Sequence, residues 1–285
     1  MNRWIYHISF TQKLAGIIIA ALVPLVLLPV YFLRAEQQQI ATARLELAGL
    51  RAYQPLQGIL APLADMQLWA AAQAAGDPAA TAKVAAARAR VEHEMQARTS
   101  SAIDYGAASG QDARRWAEIQ SEWSALAGTR FTDIAEVNRR YAAFVDRVQA
   151  MRTYVTTTSG LVLDPDPVNN FLIGAATDAV PAFEINIGRM RAWAAAIGAS
   201  GSATPAAVRE VIRTQGLAAD AVARVRASLD SAAAAGQRGE EIRAALATPV
   251  AEVEKALEEF TRYVQSDVTD SMISALSAQD LNASS

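Results

Sequence analysis

The sequence predicts an all-α protein: one N-terminal transmembrane helix followed by an elongated antiparallel helical bundle. Three observations predict it. The stretch Leu14–Leu33, LAGIIIAALVPLVLLPVYFL, is 20 residues without a charge, and at about 1.5 Å rise per residue it spans a ~30 Å hydrocarbon core. Alanine, the best helix former, dominates the remainder, while runs of alternating β-branched residues are nearly absent. Apolar residues there recur at alternating intervals of three and four, which puts one narrow stripe on each helix and suits bundle packing.

The first element is the apolar run itself. Arg3, Lys13 and the titratable His7 precede it and no acid does, so the positive-inside bias places residues 1–13 in the cytoplasm and the rest of the chain outside. A cleaved signal peptide is the rival reading. Its apolar region would run about 7–15 residues and end in small side chains, whereas this run is longer and exits through Tyr31, Phe32, Leu33 and Arg34. Tyr31 suits an interfacial anchor, and Pro24 and Pro29 are tolerated in lipid. From Arg34 the chain turns polar with no Gly or Pro before Gly49, so the span and the first exterior helix are expected to form one mechanical piece.

The later elements are delimited by short breaks at Gly76–Pro78, Tyr105–Gly110, Gly128–Thr129, Ser159–Pro167, Gly198–Pro205 and Ala235–Gly239. Between them lie the seams Trp116, Ile119, Trp123, Leu126, then Ile134, Val137, Tyr141, Phe144, Val148, Met151, Val155. A last seam runs Ile242, Leu246, Val250, Val253, Leu257, Phe260, Val264. Segments 34–75, 132–159 and 240–280 would each reach roughly 40–60 Å as helices, which favours a rod over a sphere.

Composition bounds the function. Beyond residue 33 the chain carries 24 basic and 29 acidic side chains, a net of −5, which argues against nucleic acid as a partner. Without cysteine there is neither a disulfide framework nor a thiolate nucleophile. The heavy use of Ala, and of Arg over Lys, fits a bacterial genome rich in G and C. The predicted topology separates His7 from His93, so no histidine pair can hold a metal or serve a triad. No Gly-rich phosphate loop, HExxH or GxSxG occurs. Asp164 and Asp166 do not start a calcium loop, because Asn169 stands where glycine is needed. Neither enzymatic activity nor a cofactor or metal is expected.

The most specific segment is Ser159–Trp193, SGLVLDPDPVNNFLIGAATDAVPAFEINIGRMRAW. Asp164, Pro165 and Asp166 form its structural motif. Asp166 suits an N-cap and Pro167 the first helical position. Asn169, Asn170, Arg189 and Arg191 are candidate ligand-binding residues, because two amides near a helix N-terminus and two guanidiniums facing them would hold an anionic or amide-bearing ligand. An ordinary salt bridge to Glu184 or a neighbouring helix is the competing fate of the arginines.

At this segment the sequence resembles the extracytoplasmic sensor region of bacterial methyl-accepting chemotaxis proteins and some related sensor kinases. Ser159, Leu161, Leu163, Asp164, Pro165 and Asp166 match their S-x-L-x-L-D-P-D stretch, and Pro181, Glu184, Gly188 and Arg191 match a proline followed by G-x-x-R. Glu46–Gly49 with Tyr53, Pro55 and Leu56 is similar to the family's first exterior helix, so the resemblance covers about residues 10–200. Val168 and Asn170 stand where the family has an acid and an aromatic, and Met66–Ala72, MQLWAAA, replaces a His-Arg-Gly element.

The resemblance implies an inner-membrane protein with a cytoplasmic N-terminus (1–13), a transmembrane helix (14–33) and a periplasmic helical-bundle sensor domain (34–285). It implies a chemotaxis-type transducer that binds a small solute or a solute-loaded binding protein and signals by helix displacement. Dimerisation through the first exterior helix is expected, with Leu45, Leu56, Ile59 and Leu63 as its apolar residues. A second transmembrane helix, a HAMP linker and a signalling hairpin are expected to follow such a region; this sequence ends at Ser285 in SAQDLNASS. The alternatives are the sensor region of a histidine kinase or diguanylate cyclase, and a membrane-anchored structural coiled coil.

Overall fold

The computed structural model describes residues 10–101, 109–200, 204–264 and 266, with only part of the side chains between 10 and 35. Residues 1–9 of the expected cytoplasmic N-terminus, with Arg3, most of the Tyr105–Gly110 break and the C-terminal SAQDLNASS lie outside the described residues. Among those described, the regular structure is helical and no strand occurs. The elements are α1 (Phe10–Gly58), α2 (Leu60–Ala74), α3 (Ala80–Ser100), α4 (Ser109–Ala127) and α5 (Ile134–Thr158). After a 3₁₀ turn (Leu161–Leu163) come α6 (Pro167–Gly174), a π-helical segment (Ala175–Ala179), α7 (Val180–Ser200), α8 (Pro205–Ala235) and α9 (Gln237–Val264).

Helix boundaries follow local chemistry. The exterior helix expected to run unbroken through 34–75 is interrupted at Ile59. Pro62 has no N–H to offer the Gly58 carbonyl, so the hydrogen-bond ladder lapses there. Asp133 caps α5 by accepting from the backbone N–H of Ala135 and Glu136. Thr204 caps α8 with Pro205 behind it, each such cap stabilising by about 1 kcal/mol.

The chain divides into two compact units, residues 1–47 and 48–285. In the first, Leu22, Leu25, Leu27, Leu28, Tyr31, Phe32 and Leu33 are all exposed. Among the described residues no helix is long and apolar enough to cross a membrane, so the structure does not itself carry the span expected over Leu14–Leu33; several side chains of that stretch lie outside the described set.

The second unit is built from two packed groups. One joins the end of α1 with α2, α3, α4 and α5 around a core that includes Leu56, Ile59, Leu63, Val91, Trp123, Tyr141, Phe144 and Val148. From α2 to α5, consecutive helices run antiparallel. Lys83 sits over Trp69 and Arg90 pairs with Asp65 across α2 and α3; Arg115 meets Tyr154 and Arg147 meets Glu122 across α4 and α5. The seams read on α4 and α5 are the buried faces, with Ile134 partly covered, and Trp123 and Phe144 pack at 5.6 Å between ring centroids.

The other group is α7, α8 and α9 around Met190, Ile197, Val208, Val211, Val222 and Leu257. The pairs Arg226–Glu254 and Asp230–Arg243 set α8 antiparallel to α9. The seam read on α9 is only partly covered: Leu257 is buried, but Leu246 and Val253 are exposed, because α8 flanks this helix on one side.

The two groups meet where α7 lies along α1 and α2. Here residue numbers rise together: Gln57 meets Glu184, Ala64 meets Gly188 and Asp65 meets Arg191, so these helices run parallel. A Cβ on Gly188 would stand 2.6 Å from Ala64 Cβ. Glycine allows this close approach. Leu56, Ile59 and Leu63, expected at a dimer face, are instead fully buried in their own core, because they occupy the stripe that α3 and α5 cover.

Candidate functional site

The motif residues turn out to be joints between helices. Ser159 is fully buried at the end of α5, and a Cβ on Gly49 would fall 2.2 Å from its side chain, so α1 passes directly over this corner. In the following turn Asp164 accepts from the Asp166 N–H at 2.8 Å and from the Asn169 amide at 2.9 Å. Asp166 accepts from the backbone N–H of Val168 and caps α6, with Pro167 at the first position as its chemistry requires. Pro165 is exposed between them.

The four candidate ligand residues do not share a partner. Asn169 is held by Asp164 and receives a hydrogen bond from Arg238 at the start of α9, while Asn170 is exposed. Arg238 also reaches Asp166 at 3.3 Å. On α7, Arg189 pairs with Asp146 of α5 and Arg191 with Asp65 of α2, each at 3.2 Å. The arginines thus make salt bridges to neighbouring helices, though not to Glu184. Exposed or half-exposed pairs of this kind are worth little individually.

A different cluster gathers at the α1–α5–α7 junction. Arg152, 2 % exposed, donates to Tyr53 Oη, to Gln149 and, at 2.5 Å, to Gln57 Oε1. Its guanidinium lies 4.7 Å from the Tyr53 ring centroid, within cation–π range. Gln57 in turn donates to Glu184 Oε2 at 2.5 Å. Tyr53 donates to the Ala176 carbonyl at 3.0 Å, inside the π-helical segment. Burial pushes the Glu184 carboxyl up, opposed by Arg152 and by the Gln57 hydrogen bond. It pushes the Arg152 guanidinium down, opposed by Tyr53 and Glu184, and raises the Tyr53 phenol. Arg152 Nε remains buried without a partner. Such a cluster is electrostatically costly unless each member is satisfied, so its hydrogen bonds fix how α1, α5 and α7 sit against one another.

Glu184 also belongs to the wall of an apolar cavity of about 290 Å³. Val180 and Phe183 of α7 line it, with Val222 and Val225 from α8. From α9 come Pro249 and, of the seam, Val250 and Val253. Its volume stands at the lower end of the ~300–1,000 Å³ usual for small-molecule pockets. Among the described residues no group of three or more His, Cys, Asp or Glu is placed to hold a metal ion.

Glu184 was marked in the sequence as part of the Pro181–Arg191 match, but Tyr53, Gln57 and Arg152 were not recognised as a polar cluster. One signal was available. Val148, Arg152 and Val155 follow the four-and-three spacing of the α5 stripe, and a charge on a stripe faces the core. Arg98 shows the same pattern after Val91 and Met95, and it is fully buried on Asp112.

No family model, curated protein or solved structure matches this chain.

Proposed function

We propose that this chain is the membrane-anchored sensory region of a chemotaxis-type transducer, embedded in a bacterial inner membrane with residues 34–285 on the outer side. The observation that carries this reading is where the motif residues fall. Ser159, Glu184, Gly188 and Arg191, picked from the sequence for their resemblance to such receptors, all engage α1 or α2 at residues 49, 57, 64 and 65. A ligand that shifts α5 or α7 by ~1–2 Å, the scale of interface helix shifts, would move the helix that carries the apolar segment.

Anchoring is supported by the charge-free run Leu14–Leu33 and by the exposure of its described leucines and aromatics, which are costly to leave in water. A homodimer suits the same reading. With Leu56, Ile59 and Leu63 internal, the available residues on the N-terminal part of α1 are Ile40 and Leu47, both exposed and seven residues apart.

The test is a hybrid transducer: the chain joined through a second span to the kinase-controlling portion of a chemotaxis receptor. Cells are challenged with organic acids, amino acids, oxyanions and small apolar amines and alcohols. The sensor reading expects at least one class to change swimming bias. A hybrid that inserts and controls the kinase, yet answers to none of them, contradicts it.

A further inference from the structure

We infer that the Tyr53 hydroxyl is a latch through which the position of α1 controls the π-helical turn between α6 and α7. The inference rests on the sensor reading for its signalling consequence, though not for the latch itself.

The turn contains a carbonyl that its own helix does not serve. In an α-helix the Ala176 carbonyl would accept from the N–H of Val180, four residues on. Here the Val180 N–H goes to the Ala175 carbonyl instead, at the five-residue spacing of a π-helix. At that spacing the donor for Ala176 would be residue 181, which is proline and has no N–H. Ala176 therefore takes its hydrogen bond from another helix, from Tyr53 Oη of α1 at 3.0 Å. The phenol proton has few alternatives. Arg152 can only donate to the phenol oxygen, and Gln57 Oε1, at 3.4 Å, already accepts from Arg152.

Without Tyr53 the segment has no arrangement that satisfies it. Keeping the π turn leaves the Ala176 carbonyl without a protein donor. Returning the Val180 N–H to Ala176 removes the extra residue of the turn and rotates α6 by about 100° relative to α7. That rotation takes α6 out of its packing on α8 and away from the Arg238–Asp166 pair that joins it to α9. A turn held from a neighbouring helix also fits the frequent placement of π-helical turns at functional sites. A displacement of α1 by ~1–2 Å, the scale of interface helix shifts, carries the phenol from 3.0 Å to beyond hydrogen-bond reach. Movement of α1 is thereby passed to α6 and to the start of α9.

Hydrogen–deuterium exchange of the full chain in lipid nanodiscs tests this, read by mass spectrometry over residues 173–183 and, as a reference, over α3. Tyr53→Phe keeps the ring and removes the hydroxyl; exchange over 173–183 is expected to rise at least tenfold, with α3 unchanged. Gly49→Ala tests the coupling to α1, because its methyl group would stand 2.2 Å from the Ser159 side chain and force α1 away from that corner. It should accelerate 173–183 as Tyr53→Phe does, add nothing in the double variant, and be reversed by Ser159→Gly. Unchanged exchange over 173–183 in Tyr53→Phe, an equal rise over 173–183 and α3, or a Gly49→Ala effect that adds to that of Tyr53→Phe would overturn the inference. No ligand or transducer enters the measurement. A failed latch therefore leaves the sensor reading standing, and a hybrid transducer that answers to no compound leaves the latch standing.

Discussion

Replacing Gly188 by alanine puts a methyl group into the closest contact between the two helical groups. Its Cβ would stand 2.6 Å from Ala64 Cβ, where carbon–carbon contacts lie at about 3.5–4.0 Å, so α7 must withdraw from α2 by roughly 1 Å. Overpacking of this kind costs about 1–3 kcal/mol, set against about 1 kcal/mol of helix propensity gained when Gly becomes Ala. Gly188→Ala alone is therefore expected to lose about 0–2 kcal/mol, and Ala64→Gly alone about 1 kcal/mol. The double variant merely moves the glycine to the facing helix and should return to near wild-type stability. The sharp quantity is the coupling, about 1–3 kcal/mol, read from urea unfolding of the four chains followed by circular dichroism. A Gly188→Ala chain that gains the full propensity term, with no coupling to Ala64→Gly, would refute the parallel packing of α2 and α7. The enforced separation is also on the scale of a signalling shift, so in the hybrid transducer Gly188→Ala should bias kinase output without any ligand.

Other perturbations probe the buried charges. Asp112→Ala strips the counter-charge from Arg98, which is fully buried with two unpartnered nitrogens. The expected loss is about 3–5 kcal/mol, seen as a lower urea midpoint, whereas Arg98→Met with Asp112→Leu should be close to neutral; a double variant as unstable as the single contradicts this. Because burial raises the Glu184 carboxyl, its folded-state contribution is fully present in acid and lost as pH rises through the raised value. The melting-temperature advantage of Glu184→Gln over wild type should therefore grow from pH 4 to pH 7, and an advantage that shrinks over that range would reverse the assignment.

How much of this was legible in the sequence depends on the kind of signal each residue carries. The all-helical class, the α4 and α5 seams and the cap at Asp166 follow from propensity, periodicity and local hydrogen bonding, which act over a few residues. The break at Ile59 was also local, in the carbonyl that Pro62 leaves unpaired, and the regular spacing of apolar residues around it hid it. The α9 seam reads like the α5 seam, yet only part of it is covered, since periodicity marks an apolar face and not what packs on it. The site was less legible. Asn169 in the first turn of α6 and Arg191 midway along α7 both read as available polar residues, but their partners, Arg238 and Asp65, are far away in sequence. Arg152 could have been found as a charge on an apolar stripe, while its company of Tyr53, Gln57 and Glu184 depends on three helices meeting.

Because the sequence has no cysteine, single-cysteine variants test the anchored topology without background. Asn2→Cys, Gln38→Cys and Asp220→Cys, expressed in the full chain, are exposed to a membrane-impermeant maleimide in intact spheroplasts and again after permeabilisation. The account predicts that residues 38 and 220 label in intact spheroplasts and residue 2 only after permeabilisation. Labelling of residue 2 in intact spheroplasts, or protection of residues 38 and 220 until permeabilisation, would contradict it.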